Sequence, residues 1–188
     1  AVMKDVDDAL TGTAYGLDEG AKTAAIFFTS GVKQGKEMYT ALRAVAGAAA
    51  MTGSSYQGIA DVFQDAAAKG SIMTMEINRL QQQGVKADKY LLDFINDVVD
   101  GGKKVEDVSD SVKSKVMDLT NGTKLSLQDL TEDRKGLLSK GAIEFEVFAA
   151  AMDYAFGAHA QEANKTFSGS LANMKTALSR LGEAFIKS

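Results

Sequence analysis

The chain of 188 residues contains no proline. At ordinary usage about nine would be expected, and proline is the residue that breaks a helix interior most severely. Its complete absence points to long helices joined by turns of glycine, serine and threonine. Cysteine is absent too, which removes a disulfide framework, a thiolate nucleophile and a thiolate metal site. The 21 basic and 25 acidic residues leave a net charge of −4. That balance argues against general nucleic-acid binding, which needs a basic face to neutralise phosphates. With 45% hydrophobic residues the chain has enough apolar surface to build a core.

Apolar spacing places the elements, and strand-like alternation is nearly absent. Leu17 to Ser30 reads as a short helix stopped at Gly31. In Lys33 to Met51, residues Met38, Leu42, Val45 and Ala49 share one face. Ser54 or Ser55 caps the next helix, whose Tyr56, Ile59, Val62, Phe63 and Ala66 line one side before Gly70. Thr74 is expected to cap a short helix bearing Ile77 and Leu80, ended by Gly84. Doubled apolar positions, Tyr90-Leu91, Phe94-Ile95 and Val98-Val99, widen the stripe of the following helix and predict a central place for it. Val105, Val108, Val112, Val116 and Leu119 form a single stripe stopped at Asn121-Gly122. Ser126, with Asp129 three residues on, caps a helix expected over Leu127 to Leu138. Gly141 separates it from Ile143 to Phe156.

The predicted fold is therefore all-α: a compact multi-helix domain of about eight to ten helices with a long amphipathic C-terminal helix. Residues 1–16 read as a flexible lead-in, and 17–188 as the helical domain. The last helix carries Leu171, Met174, Leu178, Leu181 and Phe185 at steps of three and four, a seam for a coiled coil or for the domain's own core. The chain starts at Ala1 and this helix runs to Ser188 without a closing signal, so a piece of a much longer protein is expected. No segment is apolar and long enough to span a bilayer.

Chemical motifs are sparse. Gly16 to Thr23, GLDEGAKT, has glycines too close together for a phosphate loop and an alanine before its lysine. Gly12, Gly16 and Gly20 fall four apart in a segment too polar for a membrane helix pair, and read as a source of chain flexibility. His159, the single histidine, has no serine-nucleophile elbow to serve. Asp93, Asp97 and Asp100 before Gly101 have the wrong spacing for a calcium loop. Glu144 and Glu146, placed on a helix, diverge and make no acid/base pair, and Glu132-Asp133-Arg134-Lys135 reads as a solvated turn. No catalytic, cofactor-binding or metal residues are assigned, and no enzyme is expected.

Three stretches, taken in order, carry a family resemblance. The first is Met51-Thr52-Gly53-Ser54 through Gln57 to Phe63. The second is Ala68-Lys69-Gly70, then Thr74-Met75-Glu76-Ile77, Arg79-Leu80-Gln81 and Gly84-Val85. The third is Phe156-Gly157 through Ala163, then Thr166 to Lys175, with Phe167, Gly169 and Leu171 as its signature positions. Together they span roughly residues 40 to 185, and they resemble the tape measure domain of tail tape measure proteins of long-tailed phages and prophages. Gln82-Gln83 departs from the family, which more often has an acidic or alanine-containing pair there, and the first 35 residues match nothing in it.

The resemblance implies a structural role without cofactors. Tape measure proteins are long helical chains in the virion tail lumen, made in the bacterial host cytoplasm, whose length sets tail length. Their partners are the tail-tube protein and tail assembly chaperones, and the seam Leu171 to Phe185 is a candidate for self-association. No nucleic-acid specificity and no membrane segment are implied for this portion. The alternatives are a cell-wall-degrading module of a tail protein and a host helical adaptor domain, one an enzyme and the other an interaction module.

Overall fold

The structure, a computed structural model, describes residues 2–10 and 16–158. Helices α1 (Val2–Leu10), α2 (Leu17–Thr29), α3 (Lys36–Thr52) and α4 (Tyr56–Lys69) come first. A two-residue strand β1 (Ser71–Ile72) leads into α5 (Thr74–Gln82) and α6 (Ala87–Asp100). A 3-10 turn (Lys103–Val105), α7 (Asp110–Thr120), α8 (Leu127–Thr131), strand β2 (Ile143–Glu144) and helix α9 over 145–158 complete the described chain. The fold is mostly helical, as the missing prolines required. The predicted C-terminal helix with Leu171, Met174, Leu178, Leu181 and Phe185 lies outside the described residues.

The central helix is α3, not α6. Ala41, Leu42, Ala44, Val45, Ala46, Ala48 and Ala49 are all fully buried, so more than one face of α3 is covered. It packs against α1, α2 and α4. Small side chains make this possible: a Cβ on Gly47 would lie 2.5 Å from the Phe156 carbonyl oxygen, so α9 rests directly on α3 backbone. By contrast α6 leaves Tyr90, Leu92 and Val99 only half-buried, packing on α5, α7 and α8. Doubled apolar positions widened its stripe without surrounding it.

Helix α9 joins the two groups through aromatic contacts. Near its start, the Phe145 ring lies 5.7 Å from Phe27 of α2, and Phe148 lies 4.8 Å from Phe63 of α4. Towards its end, Tyr154 meets Phe94 at 5.4 Å and Phe156 meets Tyr90 at 4.8 Å, both partners on α6. Each fully buried phenylalanine here contributes on the order of 1.5–3 kcal/mol of burial free energy.

Several boundaries differ from expectation for local reasons. Val2–Leu10, expected within a flexible lead-in, is a helix whose Val6, Ala9 and Leu10 are buried. Gly20 enables that docking, because a Cβ there would come within 2.1 Å of Leu10 Cδ1. It therefore serves close helix approach rather than flexibility; Gly12 lies outside the described residues. The stripe from Val105 to Leu119 is split, because the Ser109 hydroxyl accepts the Val112 N–H at 3.3 Å and starts α7 afresh. The Ser126/Asp129 capping box forms, yet α8 ends at Thr131, where Glu132 turns extended. The chain then doubles back, and Leu138 N–H donates to the Leu130 carbonyl at 3.1 Å. Finally, Ile143–Glu144 is a strand, pairing antiparallel with Ser71–Ile72 rather than opening a helix.

Candidate functional site

Gly70, Leu80 and Gly84, the signature positions of the second stretch, frame α5: Gly70 ends α4 ahead of it, and Gly84 follows it beside Thr52 at the end of α3. Gly70 ends α4 at φ 73°, a left-handed conformation that β-carbon sterics disfavour, and its carbonyl accepts the Phe145 N–H at 3.0 Å. Met73, not Thr74, caps α5: the β1 pairing holds it extended, and its N–H donates to the Glu76 carboxylate at 3.2 Å. That carboxylate is fully buried and also takes the ammonium of Lys69. Leu80 is fully buried, and its carbonyl accepts the Val85 N–H at 2.9 Å across Gly84, which sits at φ 86°. The motif thus forms the two turns that flank α5, with Glu76 as its buried charge. Phe167, Gly169 and Leu171 lie outside the described residues.

A second cluster was not anticipated. A cleft of about 180 Å³ opens between the α2–α3 loop, the end of α4, α7 and the start of α9. Lys33, Glu37, Lys115, Glu144 and Glu146 line it. Lys115 pairs with Glu144 and, at 3.1 Å, with Glu146, while the Ser111 hydroxyl donates to Glu146 at 3.2 Å. Glu144 and Glu146 therefore converge, against the expectation that they diverge on a helix. The reason is that Glu144 is on β2 and only Glu146 is on α9. Burial pushes the Glu37 carboxyl above its ordinary value, and the charge of Glu146 pushes it further. The hydrogen bond to Glu144 raises Lys115. The apolar/polar alternation of Ile143-Glu144-Phe145-Glu146-Val147 was the sequence signal for this turn, but nothing in the sequence pairs it with Lys115 or Glu37.

A third polar group pins α9 to α3. The Arg43 guanidinium donates through Nε and one Nη to both Asp153 oxygens, each at 2.5 Å, and stacks 5.2 Å from the Tyr39 ring. Burial pushes the Asp153 carboxyl up, and the two guanidinium bonds act against it. The Tyr154 hydroxyl donates to Asp97 at 2.7 Å and is pushed up to about 12, by burial first and this hydrogen bond to Asp97 second.

The remaining motifs have structural uses. Gly16 to Thr23 runs into α2, where the Thr23 hydroxyl donates to the Glu19 carbonyl at 3.0 Å, so the stretch forms no phosphate-cradling loop. Asp97 is taken by Tyr154 and Asp100 by Lys124 at 2.5 Å, leaving Asp93 exposed. Among the described residues no group of three or more acidic or histidine side chains could hold a metal ion. None of the described helices is long and apolar enough to cross a membrane. Glu132-Asp133-Arg134-Lys135 is an exposed turn, and His159 lies outside the described residues. No protein-family model matches the chain, and neither a curated protein nor a solved structure matches it.

Proposed function

We propose that this chain is a folded domain of a tail tape measure protein of a long-tailed phage or prophage, helping to set tail length and organise tube assembly through protein contacts. The ordered motifs carry the reading: Ala68-Lys69-Gly70 through Gly84-Val85, followed by Thr166 to Lys175. What supports it from the fold is that the first of these motifs forms the α4–α5–α6 connection, with left-handed Gly70 and Gly84 in its two turns and Leu80 buried between them. Partners are the tail-tube protein, tail assembly chaperones and a second copy. Leu171, Met174, Leu178, Leu181 and Phe185 form the proposed seam to an adjoining rod.

Peptide mass spectrometry on tails purified after induction tests the proposal. Peptides from 53–79 or 116–134 in the particle support a virion component. Flanking peptides without these point to a segment removed during assembly, and absence of both removes the phage assignment in favour of a helical adaptor. Leu178→Lys with Leu181→Lys is expected to abolish self-association or docking, and unchanged association rejects the seam.

The Glu37 cleft favours a second reading, a cell-wall-degrading module. A carboxyl raised by burial beside a second carboxylate is the arrangement of a general acid. That reading requires fragment release from peptidoglycan that Glu37→Gln removes; no release from the unaltered chain eliminates it.

A further inference from the structure

The chain has one Asn-Gly step, Asn121-Gly122, at the exposed C-terminal end of α7. Such a step is intrinsically prone to deamidation, because glycine offers no side chain to shield its backbone nitrogen. The Gly122 nitrogen loses its proton and attacks Asn121 Cγ. A new N–Cγ bond forms, the Cγ–Nδ2 bond breaks, and ammonia leaves. Water then opens the resulting cyclic imide to an aspartyl or isoaspartyl residue, and no oxidant or reductant is involved.

We infer that Asn121 is a modification site that the folded chain holds closed and that opening of the α7 end exposes. Asn121 sits in the left-handed conformation at φ 50° and ψ 35°. There the nucleophilic Gly122 N–H is turned back into the helix end. It donates to the Met117 carbonyl at 3.3 Å and to the Thr120 hydroxyl at 3.2 Å. That hydroxyl is itself anchored, donating to the Val116 carbonyl at 2.8 Å from a buried side chain. Attack on Cγ therefore requires leaving the left-handed cap and breaking both hydrogen bonds. Once formed, the product keeps the cap weakened, since a carboxylate at a helix C-terminus faces the negative end of the dipole. The modification is a one-way record of opening at this helix end.

The full chain is incubated at mildly alkaline pH, folded and in urea, and the tryptic peptide 116–124 is followed for amide-to-acid conversion. The folded rate is expected to fall about tenfold or more below the unfolded rate, as protection by a local opening equilibrium requires. Equal rates in the two states overturn the inference. Thr120→Val keeps the branched shape and removes the hydroxyl acceptor, so it should raise the folded rate with helical content unchanged. An unchanged folded rate in that variant overturns the role given to the hydroxyl, while the wild-type comparison decides the site by itself.

Discussion

The α4–α5 corner and the Lys115 cleft are both built on lysine–glutamate pairs, yet they solve opposite problems. In the corner, Lys69 and Glu76 are seven residues apart, and the buried carboxylate is satisfied by an ammonium and the Met73 N–H. In the cleft, the carboxylates of Glu144 on β2 and Glu146 on α9 share Lys115, while Glu37 of α3 lines the same cleft with Lys33. The first arrangement closes a turn with its buried carboxylate matched. The second leaves Glu37 with an unfavourable environment for its charge. A buried charge strengthens a fold when its partners are local and complete, and becomes a chemical liability, or a resource, when they are not.

The largest effect should come from the corner. Glu76→Ala leaves the Met73 N–H and Lys69 without their acceptor and should cost about 2–3 kcal/mol, seen as a lower urea midpoint at unchanged slope. A loss under half that would put the corner on a par with a surface pair. Gly70→Ala forces a β-carbon into the left-handed region and should cost about 1–2 kcal/mol. Equal stability for that variant would mean the α4 end can relax without disturbing the Gly70–Phe145 bond.

Smaller effects belong to the cleft. Lys115→Met removes a partly exposed hub and should cost about 1 kcal/mol or less, shrinking as salt is added. A salt-independent loss would show that packing, not charge, holds α7 there. Glu37→Gln should act in the opposite sense and stabilise by a few tenths of a kcal/mol at neutral pH, discounted for solvent screening. The sign follows from the raised carboxyl: the stability it contributes is present below its unfolded value near 4.5 and lost as pH rises through the higher folded value. The advantage of the glutamine variant should therefore close on acidification, and a gain independent of pH would contradict the burial argument.

The corner was legible before any coordinates because its partners are close in sequence. Gly70, Leu80 and Gly84 mark helix ends and an apolar anchor through local hydrogen bonds and side-chain period, as do the caps at Ser55 and Ser126. Even there the cap was read one residue late, since Met73 is held extended by a strand that Ile143–Glu144 supplies. The cleft was invisible for the complementary reason. Glu37, Lys115 and Glu144 are brought together only when α3, α7 and β2 pack, and the helical reading of residues 143–156 sent Glu144 and Glu146 to different sides.

From the sequence alone, the absence of proline, the apolar periods and the capping residues determined that this chain is helical and roughly where its helices begin and end. Those properties are set by hydrogen bonds and sterics within a few residues. Tertiary structure alone decided that alanine-rich α3 is the centre, that α9 crosses it at Gly47, and that Glu37, Lys115, Glu144 and Glu146 line one cleft. Each of these depends on which surfaces can approach closely, and small side chains permit an approach that apolar periodicity does not encode.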